Sequence, residues 1–158
     1  MKSLIVYYSK YGAAEKCADI ITSEMAGEVT SVNLKNAPSP GLKDFDRIII
    51  GSNVHAGSIN KKIRRFCIKN ADALLKKETA LFLCCLTPEE EAGGYYEKNF
   101  PHTLVEHSKV KAVLGGALWF EKMNPVERFM LKKISGTDQN IEKIDNKRIA
   151  QFVRDMEA

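Results

Sequence analysis

Two short runs in this chain are apolar at almost every residue, and no other feature constrains the fold as tightly. Ile48-Ile49-Ile50 fills the run Arg47–Gly51, and Ala80-Leu81-Phe82-Leu83-Cys84-Cys85-Leu86 fills Thr79–Leu86. A strand with one wet face alternates polar and apolar residues, so an unbroken run belongs to a strand covered on both faces, as in a parallel sheet. Both runs end in turn formers, Gly51-Ser52 and Thr87-Pro88, and neither is long enough to span a bilayer.

The remaining segments supply the partners such strands need. Leu4–Tyr8 reads as another buried strand, and Glu28–Leu34 and Val110–Leu118 complete a set of five. Between them, Ala14, Cys17, Ala18, Ile21 and Met25 share one face of a helix over Ala13–Met25. Asn36–Gly41 breaks the chain, with a short helix expected around Leu42–Phe45. Ile59, Ile63, Phe66, Cys67 and Leu74 mark a helix face, and a helical or irregular stretch runs to about His107. The tail carries two more helical patterns, around Val126–Ile134 and around Ile149–Met156, and the first of these is expected to pack on the sheet. Alternating strands and helices with no repeat or linker predict a single α/β domain over residues 1–158, with helices on both faces of a parallel sheet.

In an open parallel sheet, ligands bind beyond the carboxyl ends of the strands. Three turns there are candidates. Ser9-Lys10-Tyr11-Gly12-Ala13-Ala14 joins the first strand to the first helix, where backbone N–H groups and the helix dipole suit a phosphate, with Ser9 and Lys10 to assist. The pattern is neither a P-loop nor a dinucleotide fingerprint. Asn53-Val54-His55-Ala56-Gly57 follows the third strand and is small enough for its backbone to approach a flat ligand; Ser58 is a candidate cap for the next helix. Leu86-Thr87-Pro88 closes the fourth strand ahead of Glu89-Glu90-Glu91 and Tyr95-Tyr96, tyrosines expected to pack rather than stack on a ligand. No general acid or base stands out, and His55 is the best candidate.

At these turns, and in the stretch Leu42–Gly57, the chain resembles the flavodoxin-domain superfamily along essentially its whole length. The resemblance implies a three-layer sandwich whose five-stranded parallel sheet has the order 2-1-3-4-5, with flavin mononucleotide (FMN) as cofactor. It implies that Ser9 to Ala14 surround the FMN phosphate, that Asn53, Val54, His55, Ala56 and Gly57 flank one side of the ring, and that Leu86, Thr87 and Pro88 approach the other. The segments Gly115–Phe120 and Arg128–Gly136 are similar to the menaquinone-dependent protoporphyrinogen oxidase branch. Relatives carry Thr or Ser where this chain has Ala14. The lost hydroxyl is expected to cost about 1.5–3 kcal/mol of phosphate binding unless Lys10 or the backbone compensates.

Composition narrows the function classes. With 44% hydrophobic and 28% charged residues the chain is globular rather than disordered. The amino terminus lacks a signal-peptide pattern, which predicts a cytoplasmic address. Cys17, Cys67, Cys84 and Cys85 form no C-x-x-C pair and lie apart from His55, His102 and His107, so reduced thiols are expected and a metal site is not. The net charge of +4 is spread over helix faces such as Lys61, Lys62, Arg64 and Arg65, without the aromatic-interleaved strip of a nucleic-acid binder. Dedicated electron carriers of the resembled family are acidic, so the positive charge favours an enzyme handing electrons to a quinone or other acceptor over a carrier between redox proteins. A flavin-free receiver domain is disfavoured, because Ser9-Lys10 and Ser52-Asn53 stand where its acidic groups belong. Peripheral membrane contact by the helix around Val126–Ile134 is not favoured while that helix is expected to pack.

Overall fold

The computed structural model describes all 158 residues. The main sheet is built from β1 (Lys2–Tyr8), β2 (Glu28–Asn33), β3 (Arg47–His55), β5 (Glu78–Cys84) and β6 (Val110–Val113). They are all parallel, in the order β2-β1-β3-β5-β6, and a two-residue strand β4 (Ser58–Ile59) folds back on β3. With β4 set aside, this is the expected five-stranded order 2-1-3-4-5.

Strand periodicity sorts the apolar residues into two cores. Leu4, Val6, Ile48, Ile50, Leu81 and Leu83 point to one face, under α2 (Lys61–Lys69) and α3 (Ala71–Leu74) and the short helices α4 (Glu89–Ala92), α5 (Gly94–Asn99) and α6 (His102–His107). Ile5, Tyr7, Ile49, Ala80, Phe82 and Cys84 point to the other, under α1 (Ala13–Glu24) and α8 (Asn146–Glu157). The helix faces read from the sequence are the buried ones: Cys17, Ala18 and Ile21, then Ile63, Phe66 and Cys67, then Ile149, Phe152, Val153 and Met156. Tyr96 also packs, stacked on Phe100 at 6.2 Å.

Several expectations need correction. No helix forms at Leu42–Phe45; a single turn closes there, with Phe45 N donating to Leu42 O. Asn60, not Ser58, caps α2, its side chain accepting from Lys62 N at 2.8 Å, because Ser58 is consumed in β4. The fifth strand does not run to Leu118. Gly115, at φ +84°, turns the chain out of the sheet, where a Cβ would lie 2.0 Å from Lys143 O. The continuation β7 (Gly115–Leu118) pairs antiparallel with β8 (Ile141–Ile144). Between β7 and β8 the chain makes an excursion carrying α7 (Pro125–Ser135), which does not pack on the sheet. None of its residues is buried, and Val126, Phe129, Met130 and Ile134 are 68%, 60%, 58% and 79% exposed. Arg128 holds it instead, donating to Phe120 O at 3.1 Å and Met123 O at 3.2 Å.

One close approach fixes the centre. Gly51 sits opposite Phe82, and a Cβ on Gly51 would fall 2.0 Å from the Phe82 ring, which is itself wedged edge-on against Phe152. The substitution Gly51→Ala is therefore expected to destabilise the protein by about 1–3 kcal/mol through overpacking. In urea unfolding, adding Phe82→Leu should cost less than the sum of the two single changes.

Candidate functional site

The first turn is pinned from below and open above. Gly12 N donates to Ser9 Oγ at 3.0 Å, and Asn33, at the end of β2, ties Ser9 down by accepting from its N–H and donating to its carbonyl, both at 3.2 Å. The first backbone bond of α1 runs from Lys16 N to Gly12 O, so the amides of Tyr11, Ala13 and Ala14 find no acceptor in the protein. They lie at the positive end of a 12-residue helix. The Ala14 side chain faces away, fully buried in the core beside Cys17 and Ala18. Lys10 turns aside to pair with Glu127 at 3.4 Å. A different cation covers the turn: Lys122 Nζ lies 3.0 Å from where a Gly12 Cβ would be, beside the Trp119 ring.

The second turn is the tip of the β3–β4 hairpin. Ala56 and Gly57 both have positive φ, 49° and 76°, as a two-residue hairpin loop requires. Asn99, buried in α5, braces it by donating to Gly57 O at 2.8 Å and accepting from Ile59 N at 3.1 Å and Arg64 at 2.7 Å. The peptide between Ala56 and Gly57 bonds to nothing in the protein through either its carbonyl or its N–H. His55 is exposed beside it.

The third turn leaves β5 at Cys85, whose N–H donates to Gly115 O at 2.9 Å. Gly116 packs on the Cys85 backbone so closely that a Cβ there would fall 2.7 Å from the Cys85 carbonyl carbon.

Together the turns enclose a slot of about 210 Å³. Tyr11 and Ala13 of the first turn, Asn53 to Ala56 of the second, and Leu86 and Thr87 of the third all line it. Tyr11 Oη and Asn53 Oδ1, on two of the lining residues, are buried without a hydrogen-bond partner in the protein. Of the other sequence candidates, Ser9 and Ala14 are buried and do not line the slot, Gly12 lies under Lys122, and Gly57 abuts Tyr95 and Lys98. Lys10 borders a neighbouring cavity, and Pro88 lines a separate cleft with Glu89 and Arg148. Ala117, Leu118, Met123 and Leu131 also wall the slot. They come from the stretch after β6, where an apolar pattern by itself does not separate a ligand wall from ordinary core. Asn33 and Asn99 carried no sequence signal either, since each acts through contacts distant in the chain.

A flavodoxin domain model matches residues 4–152. The chain belongs to the flavodoxin-domain family. That membership makes it an FMN-binding, electron-transferring flavodoxin-like protein. Among curated relatives, protoporphyrinogen IX dehydrogenase [quinone] of Escherichia coli (strain K12) is 24% identical, the match covering 99% of this chain and 94% of the relative. The protein of that name from Leishmania major is 22% identical over 84% of this chain and 62% of the relative. Oxidised flavodoxin 1 of Bacillus cereus superposes with a TM-score of 0.58 at 17% identity, covering 99% of this chain and 97% of that one. A flavodoxin of Streptococcus pneumoniae TIGR4 gives 0.58 at 13% identity, covering 99% and 98%. No helix is long and apolar enough to cross a membrane.

Two thiols, Cys84 and Cys85, line this flavodoxin-type slot. Cys84 donates to Cys17 at 3.5 Å, and that bond together with burial holds its thiol well above the usual range; burial likewise raises Cys85. Both stay protonated near neutrality. At the hairpin, a left-handed alanine costs roughly 1–2 kcal/mol. Ala56→Gly is therefore expected to leave the fold intact and to raise stability by up to about 1 kcal/mol in urea unfolding, net of the entropy a glycine adds. A loss of similar size would show that the turn is built differently.

Proposed function

We propose that this flavodoxin-domain protein is an enzyme rather than a carrier: an FMN-dependent oxidoreductase that takes electrons from a small reduced substrate and passes them to a quinone. The reading is carried by the slot itself, which residues of all three turns line, with amides free of protein acceptors in the first turn and at the hairpin tip. At about 210 Å³ the slot lies below the roughly 300–1,000 Å³ of pockets that enclose whole ligands, so it suits a flat ring, with the phosphate tail outside on the first turn. The full-length match to the Escherichia coli protoporphyrinogen IX dehydrogenase [quinone] and the net charge of +4 favour an enzyme over an acidic carrier. In this reading residues 1–158 act as one domain in the cytoplasm, a compartment that suits four free thiols.

When bound, FMN supplies the redox chemistry. The chain supplies the setting. Ser9 to Ala14 would hold the phosphate chiefly through the free backbone amides of the turn, with Lys122, close over Gly12, adding a cation. Asn53, Val54, His55, Ala56 and Gly57 border one side of the ring, while Leu86, Thr87 and Pro88 approach the other. Met123 and Leu131 add apolar wall to the slot. The Ala56–Gly57 peptide, free of protein partners, would be available to hydrogen-bond the ring edge. His55, exposed and lining the slot, is a candidate proton-transfer group.

Purified protein supplied with FMN should be yellow and, under anaerobic conditions, should oxidise protoporphyrinogen with a quinone as acceptor. Tight FMN binding without that turnover would return the protein to the carrier class, and a colourless protein that ignores FMN would remove the proposal. Lys122→Ala is expected to weaken FMN binding about tenfold or more, the scale of a lost hydrogen bond to a charged group. Lys10→Ala should change it by less than about threefold, since screening leaves an exposed pair little influence. Flavin fluorescence quenching reads both.

A further inference from the structure

Beside the slot lies a larger cavity of about 550 Å³, and its walls are cationic. Lys10, His55, Lys61, Lys62 and Arg65 line it, and no carboxylate does. From the sequence alone, Lys61, Lys62 and Arg65 read as a solvated helix face. The helix geometry does otherwise: Ile63, Phe66 and Cys67 bury the opposite side of α2, which turns 61, 62 and 65 together toward the hairpin. Arg64, between them, turns away to Asn99. Lys61 and Arg65 make no ion pair and no side-chain hydrogen bond in the protein; Lys62 donates only to Leu34 O, and Lys10 reaches Glu127 at 3.4 Å. Gathered like charges, of which only Lys10 has a counter-charge, repel one another, and a concave site focuses their field on what enters it.

Two further features define what fits. Asn53 and His55 line both this cavity and the flavin slot, so the end of β3 is a wall common to the two. On its far side the cavity shares Lys62 and Arg65 with a groove of about 480 Å³, where Leu34, Phe66 and the exposed Ile68 supply an apolar floor. We infer that this cavity binds a small organic oxyanion with an apolar body. Its carboxylate or phosphate sits among Lys61, Lys62, Arg65 and Lys10, and its apolar part lies over Leu34, Phe66 and Ile68. Arg65 can take either head group with two parallel bonds. That such an anion lies beside the ring rests on the flavin reading given above; that it binds does not.

The test is calorimetric titration of the FMN-loaded full chain with naphthalene dicarboxylate and with naphthyl phosphate, using uncharged naphthalene dimethanol as control. Both anions should bind, the tighter one identifying the preferred head group, and binding should weaken as salt is raised. The Lys61→Ala/Arg65→Ala double variant should lose roughly tenfold or more in affinity, the scale expected for two charge-assisted contacts. Lys43→Ala, remote from the cavity, should lose nothing. Bound anion should also shift the flavin absorption band. Failure of both anions to bind, equal binding of the uncharged control, or an unchanged affinity in the double variant would each overturn the inference. FMN uptake is measured separately on the same samples. A chain that takes no FMN would remove the flavin reading, and the same titrations on that flavin-free chain would still decide the cavity.

Discussion

The level alignment of three parallel strands is the constraint on which the rest of the structure depends. Tyr8 of β1 lies beside Ser52 of β3, which lies beside Leu83 of β5, so the chain leaves all three at one edge of the sheet. The chain also reverses its direction of travel across the sheet at this point. β2 lies on one side of β1 and β3 on the other, with α1 and α2 on opposite faces. Such a switch opens a crevice at the carboxyl ends. Shifting β3 by one residue would turn Ile48 and Ile50 to the face now built for Ile49 and would carry the hairpin out of line with the other two turns. Core packing and site geometry are in this sense one requirement.

Much of this was legible in the sequence because it rests on local pattern. Unbroken apolar runs identify doubly buried strands, helical spacing identifies Cys17, Ile63 and Phe152 as buried, and turn residues at strand ends mark the site. What was not legible depends on contacts distant in the chain. Val110–Leu118 looks continuous, because nothing next to Gly115 announces that Lys143 O will come within reach of it. β8 reads Ile-Glu-Lys-Ile, too short and too charged to stand out. The α7 pattern is periodic, but periodicity shows only that a helix has an apolar face, not that anything covers it.

The excursion between β7 and β8 changes how the site is assembled. It places Trp119 and Lys122 over the first turn and Met123 and Leu131 on the wall of the slot. The Ala14 side chain points into the core, so a hydroxyl there would not face the turn, and the cation over it comes from Lys122, more than a hundred residues away. Electrostatics follow the same logic, since Lys10 is drawn off to Glu127 while Lys122 meets no carboxylate. The exposed face of α7 removes the packing argument that had weighed against peripheral membrane contact.

Amide spectra of the isotopically labelled protein, recorded as FMN is added, test the central claim most directly. Signals of Tyr11 to Ala14, Asn53 to Gly57 and Leu86 to Thr87 should move together with a single saturation, along with Lys122 and Leu131. Movement in only one of those turns, or changes centred elsewhere on the sheet, would contradict a flavin seated where the three strands end.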